Sequence, residues 1–236
     1  MVAERSKEGQ HAGVVAVLFS AGLDSAVLLA HASAGASAVQ PLYVSVGLAW
    51  ELDELAAAER LVQSGVLGST VRPVVPLRVD MRDEYPEAHW AVRGDAPGFD
   101  TPDEDVYLEG RNIVLLSKAA IFMARSGITR VMIGPLAGNP FPDATPAFFA
   151  AMQHALTLGL GAPINIEAPF AGMRKSDVIR LGLSLGVPLE LSLSCMQPSA
   201  GAHCGRCSKC RERQHAFADG GFADFTRYAN REPLGS

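Results

Sequence analysis

Cysteine is missing from the first 194 residues of this 236-residue chain. A secreted disulfide framework spreads its cysteines to staple distant loops, so that kind of scaffold is excluded. Aromatic residues are scarce, at 7%, which leaves little material for a base-stacking surface. Positive charge is in deficit: 20 Lys and Arg against 25 Asp and Glu give a net charge of −5. Proteins that live on phosphate-backbone contacts are usually basic, so nucleic acid is not the expected partner. The apolar run at residues 14–19 falls far short of the ~18 residues a membrane helix needs. Residues 1–10 mix both charges, and no small-residue cleavage site follows the short apolar run. No membrane span and no signal peptide are expected, and the location reads as cytoplasmic. Internal repeats are lacking too.

What is present is core material. Hydrophobic residues make up 48% of the chain and charged ones 19%. At about 150 residues per domain, the length fits one large domain with an appendage. Residues 14–19, 41–46, 71–76, 130–133 and 164–167 read as strands, the third with an awkward Pro73. Residues 26–32, 52–63, 111–125, 146–159 and 175–185 read as helices. Residues 80–109, rich in Pro, Gly and acids, read as one long loop. Alternating strands and helices imply right-handed crossovers and a doubly wound parallel α/β sheet of five strands; the order expected for it is 3-2-1-4-5. Ligands in such sheets bind at the carboxyl ends of the strands.

The first such end is Ser20-Ala21-Gly22-Leu23-Asp24-Ser25, between a buried strand and a helix. Small residues let backbone N–H groups approach an anion, and the helix N-terminus adds about half a positive charge. The loop has neither the Gly-Lys-Ser/Thr of a Walker motif nor the three glycines of a dinucleotide fingerprint. On its own it also fits an ordinary turn in which Asp24 caps the helix.

Four cysteines close the chain within sixteen positions: Cys195, Cys204, Cys207 and Cys210. Four soft ligands at this spacing favour one structural, tetrahedral Zn²⁺, with an iron–sulfur cluster as the chief rival. His203 is not needed for a full shell. Arg206, Lys209, Arg211 and Arg213 offset the negative charge of a tetrathiolate zinc. The expected division is an α/β domain over residues 12–190 and a zinc-binding segment with a terminal helix over residues 191–232.

The loop after the first strand resembles the pyrophosphate loop of the PP-loop ATP pyrophosphatases, usually Ser-Gly-Gly-x-Asp-Ser, with Ala21 in place of the first glycine. Together with the cysteine cluster it resembles the 7-cyano-7-deazaguanine synthases of queuosine-type nucleoside biosynthesis, over nearly the whole chain. Gly110-Arg111-Asn112, Phe141-Pro142-Asp143 and Lys175-Ser176-Asp177 are similar to shorter signatures of that family. The resemblance implies an adenine nucleotide α-hydrolase-like fold. It implies ATP with Mg²⁺, ammonia and a deazaguanine-type carboxylate as small-molecule substrates, and a homodimer. In the implied reaction the carboxylate takes the α-phosphate of ATP, ammonia makes the amide, and a second ATP drives nitrile formation.

On this reading Phe19 and residues 20–25 hold the phosphates, Asp24 orients the loop or meets Mg²⁺, and Lys175 and Arg111 face the α-phosphate or the substrate carboxylate. The adenine is expected along residues 42–46. Two stretches depart from the family: VSVGLAWE at residues 44–51, where it shows Asp-Tyr-Gly-Gln and basic residues, and Ala144-Thr145, where it shows Cys-Arg. Glu51 and Asp143 are expected near the substrate pocket, at least one accepting from the N–H groups of a guanine-like edge. Asp143 has the alternative of capping the following helix, and Trp50 is expected either to stack a planar base or simply to pack. The competing functions are a paralogue that adenylates another carboxylate or acceptor, a tRNA-modifying enzyme, and a zinc-stabilised binding protein.

Overall fold

The computed structural model describes residues 13–230. The charge reading at residues 1–10 and the outer limits of the two expected segments, residues 12 and 231–232, lie outside the described residues. Strands β1 (Val14–Leu18), β2 (Ala38–Ser45), β3 (Val75–Arg78), β4 (Arg130–Met132) and β5 (Asn165–Glu167) form one parallel sheet of order β3-β2-β1-β4-β5. That is the order read from the sequence. Central β1 has Val15, Ala16 and Val17 fully buried, because helices cover both faces of the sheet.

The helices are α1 (Leu23–Ser33), α2 (Glu51–Gln63), α3 (Trp90–Arg93), α4 (Arg111–Ser126), α5 (Pro146–Leu160), α6 (Lys175–Ser184) and α7 (Ser208–Asp219). Among the described residues none is long and apolar enough to cross a membrane. Helix α1 is apolar on nearly every side and packs against α6. A Cβ at Gly182 would lie 2.6 Å from Val27 Cγ2, so the missing side chain sets the closeness of that contact.

Two expectations need correction. The third strand lies at Val75–Arg78, not at residues 71–76. Val39 makes an isolated bridge to Val71, and the ladder resumes only at Leu42 opposite Val75. The outer chain therefore carries one more residue than β2 across the gap, and Pro73 sits there. Proline has no N–H for a ladder, and the Gln40 amide donates to its carbonyl at 2.9 Å instead. Residues 80–109 are not featureless either. They hold α3 and a 3₁₀ turn at Asp103–Val106. Tyr85 donates to the Glu109 carbonyl at 2.7 Å, and Arg211 to the Phe99 carbonyl at 2.7 Å. The cysteine-bearing segment shares the main core, with Leu193, Cys195, Cys210 and Phe217 in the same apolar cluster as β1.

Candidate active site

A cleft of about 450 Å³ opens at the carboxyl ends of β1 and β4. Phe19, Ser20, Gly22, Leu23, Asp24 and Ser25 line it. Gly22 is the N-cap of α1 and offers no side-chain cap. Only long contacts of 3.4 Å, from Ser20 Oγ and Ser194 Oγ, reach the N–H groups of Gly22 and Leu23. The first turn of α1 thus presents weakly satisfied donors and the positive end of its dipole, an anion cradle. Ala21, expected with the cleft residues, lies beneath them. It is fully buried at φ +59°, and its carbonyl accepts from Leu193 N–H at 2.8 Å.

A run of charges borders the cradle. Lys175, first residue of α6, donates to Asp24 Oδ2 at 2.9 Å and to Glu212 Oε1 at 2.5 Å. Lys209 donates to Glu212 Oε2 at 2.8 Å. Burial pulls the Lys175 ammonium down, but Asp24 and Glu212 outweigh it and hold the group above its ordinary value. Burial opposes charge on Glu212 as well, yet Lys175 and Lys209 hold it well below the usual carboxylate range. Asp24 Oδ1 is buried with no hydrogen-bond partner. An orphaned carboxylate oxygen beside a phosphate cradle fits a Mg²⁺ ligand arriving with ATP. Glu212 had no local motif to flag it in the sequence, and Lys209 stood out there only as a charge beside the cysteines.

The other end of the cleft is built from side chains. Trp50 is buried and stacked on Trp90, with centroids 5.9 Å apart and planes 11° from parallel. Tyr107 stacks on Phe141 at 4.9 Å. All four rings line the cleft, as do Tyr43, Glu54, Arg111 and Asp143. Leu42 and Val44 also line it, which leaves the expected adenine strip open over part of residues 42–46.

Glu51 does not line the cleft. Its carboxylate accepts from Ser45 Oγ and from the N–H groups of Val46 and Gly47, closing the loop after β2. Glu54, one turn further along α2, faces the cleft in its place. Burial pushes the Glu54 carboxyl up to about 7, against the pull of Arg111, and Tyr43 donates to it at 3.1 Å. A signal for Glu54 existed in the sequence: it shares the buried stripe of α2 with Ala58 and Leu61. Asp143 accepts from Asn112 N–H at 3.0 Å and so caps α4, not the following helix α5, which Thr145 caps. Burial raises the Asp143 carboxyl, and the Asn112 backbone N–H opposes the rise. Arg111 begins α4, and its Nε is buried without a partner.

The four cysteines form no disulfide, and their Sγ atoms all lie within 4.8 Å of one another. Three sulfur pairs stand at 3.5 to 3.9 Å. Zn–S bonds of about 2.3 Å at tetrahedral angles require sulfurs about 3.8 Å apart, so the set fits a single Zn²⁺. A four-iron cluster interposes its own irons and sulfides and would hold the thiolates farther apart. Backbone N–H groups of Gln197, Cys204 and Arg206 point at cysteine sulfurs, which suits thiolates. His203 instead accepts from Ser194 N–H through Nε2. Arg213 is fully buried, and donates to the Ser192 and Ser194 hydroxyls, Thr226 Oγ1 and the Leu189 carbonyl. Through Ser194, whose Oγ meets Leu23 N–H, the cysteine segment braces the phosphate loop.

A doubly wound sheet, a small-residue loop beneath an Asp–Lys pair and a tetrathiolate knuckle together define a PP-loop nucleotide-dependent enzyme. The chain belongs to the QueC family: the model described as "Queuosine biosynthesis protein QueC" matches residues 14–221. A 7-cyano-7-deazaguanine synthase of Anaeromyxobacter dehalogenans is 35% identical, over 90% of this chain and 94% of that one. One of Thermoplasma volcanium is 33% identical, over 90% of each. Among solved structures, the U34-tRNA thiolase NcsA of Methanococcus maripaludis, with its [4Fe-4S] cluster, is 13% identical at a TM-score of 0.49, over 89% of this chain and 68% of that one.

Proposed function

We propose that this chain converts 7-carboxy-7-deazaguanine and ammonia to 7-cyano-7-deazaguanine at the expense of ATP, through an acyl adenylate. One observation carries the proposal: the phosphate cradle and a wall of paired aromatics with a buried carboxylate open into the same cleft. The first suits a triphosphate and the second a planar, hydrogen-bonding base. Family membership supports the pairing.

The residues divide the work accordingly. The N–H groups of Gly22 and Leu23 and the Ser20 and Ser25 hydroxyls bind phosphate oxygens. Asp24 Oδ1 would hold Mg²⁺, which neutralises phosphate charge when bound. Lys175 faces the α-phosphate, where the attacking carboxylate adds charge. Arg111, with its unpartnered Nε, is the cation for the substrate carboxylate. Cys195, Cys204, Cys207 and Cys210 would hold Zn²⁺ in a structural role. The enzyme is read as a cytoplasmic homodimer. Exposed Ile113 and Ile121 on α4 and Leu158 on α5 support a buried face there, and light scattering on the purified chain measures the stoichiometry.

The departures at residues 44–51 favour a second reading, adenylation of a different carboxylate, because Trp50 and Glu54 belong to that stretch or adjoin it. Incubation with ATP, Mg²⁺, ammonia and 7-carboxy-7-deazaguanine, read by mass spectrometry, separates the two. The first reading gives the nitrile. Pyrophosphate release only with other acids gives the second.

A further inference from the structure

We infer that Lys209 is a second phosphate-facing cation, which the zinc-bound loop delivers to the leaving pyrophosphate. The inference rests on the ATP-cleaving reading above and adds a catalytic residue that the cysteine motif spans only as a spacer position.

Lys209 lies between Cys207 and Cys210, in the first turn of α7. Two cysteines of the four-sulfur cluster flank it, and a bound metal would pin the backbone on either side. Its side chain lines the same cleft as Ser20, Asp24, Ser25 and Lys175, and is about one-third exposed, at 32%. The start of a helix is the unfavourable end for a cation. Here the cost is offset by Glu212, which takes Lys209 on Oε2 and Lys175 on Oε1.

The result is an alternating row, Asp24–Lys175–Glu212–Lys209, of two acids and two bases with no net charge. A triphosphate entering the cradle brings several negative charges to that row. Lys209 can then exchange one oxygen of Glu212 for a phosphate oxygen without leaving its place, while Glu212 keeps Lys175. In the adenylation step the substrate carboxylate oxygen forms a bond to the α-phosphorus. The bond from that phosphorus to the α,β-bridging oxygen breaks, and its electron pair leaves on pyrophosphate. Lys209 stands where this charge develops, and a preplaced cation acts most strongly there.

The test is K209Q with K209R beside it, in the zinc-loaded protein. Zinc per chain, measured by atomic emission, stays at the wild-type level in both. K209Q lowers kcat for pyrophosphate release by about 10- to 100-fold, as expected for one lost hydrogen bond to a charged group. The KM for ATP moves by less than about threefold, and K209R recovers most of the loss. Inorganic pyrophosphate binds K209Q about tenfold more weakly by calorimetry. Unchanged kcat and unchanged pyrophosphate binding in zinc-replete K209Q would overturn the inference and leave Lys209 as a surface partner of Glu212. A wild type that releases no pyrophosphate with any carboxylate overturns the ATP-cleaving reading instead, and pyrophosphate binding by the two proteins still decides the role of Lys209.

Discussion

The two ends of the cleft are built by different means. The end proposed to take phosphate has backbone N–H groups, a helix dipole and small residues at positions 20–25, backed by charges from α6 and α7. The end proposed to take the base is made of side chains: two stacked aromatic pairs, Glu54, Tyr43 and Arg111. Recognition by backbone demands a fixed turn and near-absent side chains, and that demand is written locally in the sequence. Recognition by side chains places its demand on tertiary contacts, so Trp50 meets Trp90 forty residues away with no local sign of it.

The sharpest break between the ends comes from Asp24→Asn. Asparagine keeps the shape but not the charge that Lys175 and Mg²⁺ need. Pyrophosphate release should fall by more than about 1,000-fold with melting behaviour little changed. Retention of even a tenth of the activity would remove Asp24 from the reaction. At the base end, Glu54→Ala should cost about 100-fold in kcat/KM for the deazaguanine substrate, because a site built for paired N–H groups loses its acceptor. The KM for ATP should stay near wild type. A matching rise in the KM for ATP would place adenine, not the substrate base, against Glu54.

Glu54 also gives the comparison a pH axis. Its carboxyl is raised from 4.5 to about 7 in the folded chain. The folded state therefore binds the proton more tightly than the unfolded one. That contribution to stability is fully present below about 4.5 and is lost as pH rises through about 7. Glu54→Gln removes the titration, so its stability relative to wild type should grow over that window, by up to about 3 kcal/mol. Denaturant melts at pH 5 and pH 8 measure it, and equal differences at the two values would refute the buried-carboxylate picture.

Much of this architecture was legible. Four of the five strands and the start of α4 and α6 at Arg111 and Lys175 follow from apolar runs and periodicity, and the expected strand order matches the sheet. The cysteine cluster follows from ligand spacing. What was not legible depended on contacts across the chain. Pro73 shifts β3 because a distant Gln40 satisfies its carbonyl. Glu51 turns inward because three donors at and just after the end of β2 need an acceptor, which moves the cleft carboxylate one turn along α2. Asp143 caps α4 because Gly110, its N-cap, has no side chain to do so. Asp143→Ala should therefore cost about 1 to 2 kcal/mol of stability. A loss in kcat/KM beyond the unfolded fraction would give it the expected substrate role as well.

The smallest expected effect is at Ala21, where the phosphate loop departs from the family's glycine. Ala21→Gly changes three terms of similar size. The left-handed backbone at φ +59° costs an alanine about 1 to 2 kcal/mol, which glycine avoids. Against that, the fully buried methyl contributes about 0.8 kcal/mol, and glycine adds about 0.4 to 1 kcal/mol of unfolded-state entropy. The terms nearly cancel, so stability should shift by less than about 1 kcal/mol. ATP affinity should not fall, because the Ala21 side chain lies beneath the loop and only its carbonyl, held by Leu193, fixes the path of the chain. A loss of affinity above about threefold in calorimetry would mean that the alanine methyl shapes the cradle itself. The phosphate end would then depend on a side chain after all, and the contrast with the base end would narrow.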